Sequence, residues 1–217
     1  MDHAANRVPA ALADAGGKVL ATTLSVMAAV RRAAKPLHPA GAVVLGRLER
    51  TGAQPATGVP WLDDPGVDEV LVRRSRAVGL PGSLPDIHGL AVRVPVGSGH
   101  ADLLFASTGR GTVTRFLLTV SRSPEGRPLT TLLPYRSPAG PLLLAATAAG
   151  PDRFTLSWAT GTGGWHDFGT LVLSDSPGGD ELVSFDPVLN TIPGLENYEW
   201  VRRLREPSYS MARGSRR

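Results

Sequence analysis

From residue 41 onward the chain breaks into short apolar runs that no long helix can use. They read AVVLGRLER, EVLVRRS, GLAVRVPV, ADLLFAST, TRFLLTV, GPLLLAAT, DRFTLSWAT and FGTLVLS. Several alternate apolar with polar or small residues, the period of a strand with one buried face. Glycine (25) and proline (19) supply the turns between them. Eight such runs at fairly regular spacing predict a mainly β, antiparallel structure, either a barrel or a sandwich. The stretch TLSWATGTGGWHDFGTLVLS predicts one hairpin about a glycine turn, and its GTGG is a turn rather than a phosphate cradle.

The flanks have a different texture. Residues 9–34 are rich in alanine and leucine, with Val19, Leu20, Leu24, Met27 and Ala28 near helical spacing. VLATTLSVMAAV is about half the length needed to span a bilayer. Asp2 and Asp14 before it, and Arg31, Arg32 and Lys35 after it, argue against a secretory leader and for an amphipathic helix. The expected location is therefore cytoplasmic, without stable membrane insertion. After Pro193 the pattern turns helical again, with Pro207 expected to open a last helix. The chain divides into an N-terminal helical segment, 1–36, and a main body, 37–217. Hydrophobic residues make up 42% of the 217, enough for one real core. The absence of cysteine excludes disulfides, zinc–thiolate sites and iron–sulfur clusters.

The segment LREPSYSMARGSRR places Tyr209 among Arg205, Arg213, Arg216 and Arg217. A solvated basic tail accounts for that pattern, and so does a set of cations that keeps one phenol ionised. The net charge of +4 is compatible with nucleic acid but does not require it. No P-loop or dinucleotide fingerprint is present.

Four patches in order bear on the choice. LHPAGAVVLGRLE has the form His–x–x–Gly–Ala leading into a strand. VLVRRSRAVG carries Val–Arg–x–Ser. PDIHGLAVRVPVGSGHADLLFAST carries Asp and Gly–x–Ala–Val ahead of an Asp–Leu pair. SFDPVLNTIPGLENYEWVRRLREPSYSMARGSR ends in Arg–x–x–x–Tyr. Together they resemble the haem catalases, and the length of the chain is similar to that of the short catalase-related haem peroxidases. The resemblance implies an α+β, mainly β fold: an eight-stranded antiparallel catalase-type barrel with an N-terminal helix and a C-terminal helical segment carrying the haem ligand.

It also implies roles. Tyr209 would be the axial ligand of the iron of haem b. Arg205, four residues earlier, would favour the phenolate, because a guanidinium stays charged and donates hydrogen bonds without giving up a proton. Arg73 and Arg216 would hold propionates. His38 would be the distal acid–base group, Ser75 the hydroxyl that orients it, and Val78 and Leu37 apolar walls. Asp86 matches a channel carboxylate or caps a turn. The expected partners are a peroxide, a small electron donor and a second copy of the chain.

The chain also departs from the family pattern. The asparagine expected beside the distal histidine is Ala106, followed by Ser107. The expected aromatic before Ser75 is Arg74, and the tryptophan before Asp102 is Ala101. Peroxidase activity with weak catalase activity is the reading these changes support. The alternatives are a non-catalytic haem-binding or peroxide-sensing module, and lipid-hydroperoxide rearrangement of the allene-oxide-synthase type. His88 and His100 stand as the next candidates for acid–base work.

Overall fold

The computed structural model of the chain describes residues 43–76, 84–178 and 183–214, and for 207–214 the backbone alone. Ten strands form one antiparallel sheet: β1 (Val43–Arg50), β2 (Gly66–Arg76), β3 (His88–Val96), β4 (Gly99–Ser107), β5 (Leu129–Thr130), β6 (Tyr135–Ser137), β7 (Gly140–Gly150), β8 (Arg153–Thr160), β9 (His166–Pro177) and β10 (Glu196–Asn197). There are two α-helices among the described residues, α1 (Pro60–Asp63) and α2 (Glu199–Gly214).

Eight strands run β1-β2-β3-β4-β5-β7-β8-β9, and β9 pairs with β1 to close the ring. The fold is therefore a closed antiparallel barrel, not a sandwich. β6 shares with β5 the same edge of β7, and β10 pairs outside β6. Alternation decides which side chains fill the barrel. On β3, Leu90, Val92 and Val94 enter the core, while Gly89, Ala91 and Arg93 lie on the outer face. On β4, Ala101, Leu103 and Phe105 point in, and Asp102, Leu104 and Ala106 point out. Trp158, Phe154, Phe168, Leu142 and Leu144 complete the core from the far wall.

Two expectations fail. TRFLLTV does not form a strand: Thr114–Phe116 is a single 3-10 turn. The cause is Arg115, almost wholly buried, whose guanidinium donates to the carbonyls of Gly111, Thr160 and Gly163 and lies 4.8 Å from the Trp165 ring. Those bonds tie the loop to the β8–β9 hairpin and hold it in a turn. Burial pushes the Arg115 guanidinium below its ordinary range, and neighbouring Arg110 adds to the effect. Pro207 does not open a new helix either. It lies inside α2, which runs unbroken from Glu199. An interior proline costs a helix about 3 kcal/mol. Burial of Val201 and the bond from Arg205 to the Thr131 carbonyl hold the helix ahead of it. The expected N-terminal helix in 1–36 lies outside the described residues.

Candidate functional site

Register brings the candidate residues together on the outer face of β2–β5. Ser75 pairs with Gly89, Gly89 with Ala106, and Ala106 with Thr130. The next row along is Val43, Arg73, Ala91 and Leu104. Ser75, Gly89, Ala91, Leu104 and Ala106 are all half-buried. The centre of this face is thus a trough of glycine and alanine, bordered by a guanidinium and a hydroxyl. Gly89 has a specific reason: a Cβ there would sit 2.6 Å from the Ser75 Oγ. The missing side chain lets the serine lie across the trough.

α2 approaches the end of the first row. Arg205 Nη2 donates to the carbonyl of Thr131 at 3.3 Å, one residue past Thr130. Arg205 is 9% exposed, and no carboxylate pairs with it among the described residues. Val201 and Arg205 are four apart on the buried side of α2, so residue 209 falls one turn further along the same side. The arginine and tyrosine singled out in the sequence therefore share one helix, though the Tyr209 side chain is outside the description. The guanidinium also lies alongside the Tyr135 hydroxyl. Burial pushes that phenol above its ordinary range; Arg205 opposes the shift and Asp102 reinforces it.

Asp102 locks this arrangement. Its side chain is 0% exposed and accepts from Arg93 Nε (2.7 Å) and Nη2 (2.9 Å), from the Asp186 amide (2.8 Å) and from Asn190 Nδ2 (2.8 Å). Its own amide donates to the Asn190 carbonyl at 3.0 Å. The segment leading into α2 is thus pinned to the outer faces of β3 and β4. Sequence reading used Asp102 only as a landmark. Its signal was visible: an isolated carboxylate flanked by apolar residues on a strand must find donors once it is buried.

Other candidates separate. His88 and Ser107 lie on the inward side of β3 and β4, away from Ser75. Ser107 Oγ donates to the Thr119 carbonyl at 2.6 Å and accepts from the His88 amide at 3.1 Å, and His88 Nε2 lies 3.0 Å from the Ser121 carbonyl. Neither can take a part on the outer face. His100 is exposed at the β3–β4 turn, six residues from Ala106 along β4 and so roughly 20 Å away. Asp86 is buried, accepts from the Ile87 amide at 2.7 Å and pairs with Arg76 at 3.5 Å, which fits the turn-capping reading. His38, Leu37, Val78 and Arg216 lie outside the described residues.

The closed eight-stranded barrel with its outer trough and flanking helix has a catalase-like architecture. A solved structure, described as that of a bacterial catalase, is similar to it with a TM-score of 0.55 and 14% sequence identity, covering 90% of this chain. The chain spans 60% of that catalase's length. No protein-family model and no curated protein matches the chain.

Proposed function

We propose that the chain is a haem-dependent peroxidase, with weak catalase activity, that reduces hydrogen peroxide or an organic hydroperoxide. The observation that carries this is the convergence of two elements. The Ser75–Gly89–Ala106–Thr130 row ends one residue from the carbonyl that holds Arg205, on the helix that bears Tyr209. A face of small residues leaves room for the broad side of a planar macrocycle. A buried guanidinium with one carbonyl partner among the described residues suits an anionic ligand oxygen beside it.

The residues present fit haem b, bound without thioether links since the chain has no cysteine. Bound haem would supply the redox chemistry by which peroxide is reduced. Tyr209 would ligate the iron as the phenolate. A phenol at its usual pKa near ~10 is mostly protonated at neutral pH, and Arg205 together with ferric iron favours the ionised form. Arg73 and Arg216 would pair with propionates. His38 would take a proton from the peroxide and return it to the departing oxygen, and Ser75 would fix its ring orientation. We assign the chain to the cytoplasm as a homodimer, with a small aromatic reductant and no nucleic-acid partner. No described helix is long and apolar enough to cross a membrane. A haem-binding sensor without turnover is the second reading, favoured by Ala106, which offers no hydrogen bond at the trough.

Reconstitution with hemin tests the proposal. The expected product is a 1:1 ferric complex with a tyrosinate charge-transfer band that disappears in Tyr209→Phe. Arg205→Leu should keep the ligand but raise the reduction potential. A folded parent protein that takes up no hemin would refute the reading. An unchanged Tyr209→Phe spectrum would move the ligand elsewhere.

A further inference from the structure

Tyr135 carries a feature that the roles above do not use. It belongs to the barrel core, 3% exposed, and its hydroxyl is buried with no hydrogen-bond partner among the described residues. Phenylalanine would fill the same volume without leaving a polar atom unsatisfied, so the oxygen needs a reason. Beside it lies the Arg205 guanidinium, which is close without meeting hydrogen-bond geometry. A guanidinium has five N–H donors, and the bond Arg205 makes among the described residues is the single 3.3 Å contact to Thr131. An orphan acceptor thus sits against an under-used donor.

The backbone strengthens the link. Tyr135 pairs with Asn197, two residues before α2 begins, while its side chain reaches Arg205 on the helix's second turn. The same residue therefore pairs with the strand that leads into the helix and lies beside the cation that the helix carries.

We propose that Tyr135 is a positioning residue: its phenol oxygen steadies the Arg205 guanidinium at the end of the trough, so that the remaining donors face residue 209. Its purpose rests on the haem reading; the contact itself does not. The two phenols would then have opposite states. Burial and Asp102 keep Tyr135 protonated, so it accepts a hydrogen bond from Arg205 without competing for its charge. That charge stays available to the phenolate of Tyr209. Nothing in the Arg–x–x–x–Tyr pattern announces Tyr135, which lies seventy residues earlier on another element.

Two measurements on the full chain test this. The first uses hemin-free protein labelled at tyrosine Cζ. The three tyrosines, 135, 198 and 209, are assigned by single Phe variants. Arg205→Leu should shift the Tyr135 resonance and leave that of Tyr198 in place; an unmoved Tyr135 signal overturns the contact. The second compares hemin binding in the parent and in Tyr135→Phe. The hemin dissociation constant should rise about 2- to 13-fold, the worth of one hydrogen bond. The charge-transfer band should shift toward that of Arg205→Lys, while the melting temperature of hemin-free protein holds. Parent-like affinity and band in Tyr135→Phe overturn the positioning role while hemin binding itself stands. A parent that binds no hemin overturns the haem reading and the role together, and leaves the Cζ result to judge the contact.

Discussion

The barrel has two outer faces built to opposite plans. Across β7–β9, Leu143, Ala145, Ser157 and Ala159 are fully buried although they lie outside the barrel core. Arg110 reaches Thr147 Oγ1 (3.2 Å) and Ser157 Oγ (3.3 Å), Ser157 donates to Asp167 (2.7 Å), and Arg110 and Arg115 both lie over Trp165. Across β2–β4 the central outward positions, Gly89, Ala91, Leu104 and Ala106, are mostly small and only half-buried. The barrel's stability asks for its inward side chains to be packed. It does not dictate what the second face carries, so a face kept small and only half-buried is free to serve a ligand. The sealed face uses Arg110 and Arg115 to tie hydroxyls and carbonyls together; the open face borders its trough with Arg73 and Ser75 and is met at its end by Arg205.

The largest expected difference between the faces is catalytic. His38→Ala should cost peroxide turnover ~100- to 10,000-fold, the usual worth of a general acid–base group, with little change in melting temperature or hemin affinity. Stopped-flow turnover beside a hemin titration measures both. Equal turnover in parent and variant would remove the histidine from the chemistry; among the described residues His88 points inward and His100 lies roughly 20 Å from Ala106, so neither stands beside the trough to replace it.

Next is the lock between the open face and α2. Asp102→Ala strands Arg93 and frees the 184–190 segment. Breaking a buried pair by removing one partner costs about 3–5 kcal/mol. Denaturant unfolding should show that loss, and hydrogen exchange should quicken in α2 before it does in β7–β9. Uniform loss of protection would mean that Asp102 supports the barrel as a whole and not the helix.

A matched pair of insertions compares the faces directly. Ala145→Phe on the sealed face overpacks a site with no room, at about 1–3 kcal/mol. Ala91→Phe on the open face should change stability by about 0.5 kcal/mol or less, as surface substitutions do, yet reduce hemin uptake sharply. If both variants lose the same stability, the open trough is ordinary packed surface.

How much of this was legible in the chain follows from what each signal depends on. Seven of the eight apolar runs are strands because alternation is local, and the period survives whatever the tertiary contacts. TRFLLTV misled because Arg115 outweighs propensity through carbonyls that are 45 and 48 residues away. Alternation alone left barrel and sandwich open, since closure is a single pairing, β9 with β1, between segments more than a hundred residues apart; the resemblance to the catalases implied the barrel, and the barrel is what forms. At the site, Arg205 followed from spacing and a resemblance. Tyr135 and the four donors around Asp102 did not, because each depends on which atoms meet across strands.

The smallest expected effect concerns Ala106. It faces outward, and its cross-strand neighbours are Gly89, with no side chain, and Thr130. Ala106 is half-buried with a glycine across from it, which makes Ala106→Asn a fair insertion of a hydrogen-bond donor. In the peroxidase half of a cycle one peroxide is reduced and small donors return the electrons. In the catalase half a second peroxide must itself be oriented as the reductant, so an added donor on the trough should favour dioxygen release over donor oxidation. One hydrogen bond is worth roughly 0.5–1.5 kcal/mol, hence about a 2- to 13-fold gain in dioxygen release. Ser107 cannot already supply that bond. Its hydroxyl is on the inward face and committed to the Thr119 carbonyl. Ser107→Ala should therefore lower stability and leave the ratio of the two activities unchanged. An oxygen electrode and a donor-oxidation assay on both variants give the ratio. If Ser107→Ala moved the ratio and Ala106→Asn did not, the register that places Ala106 on the open face would be wrong.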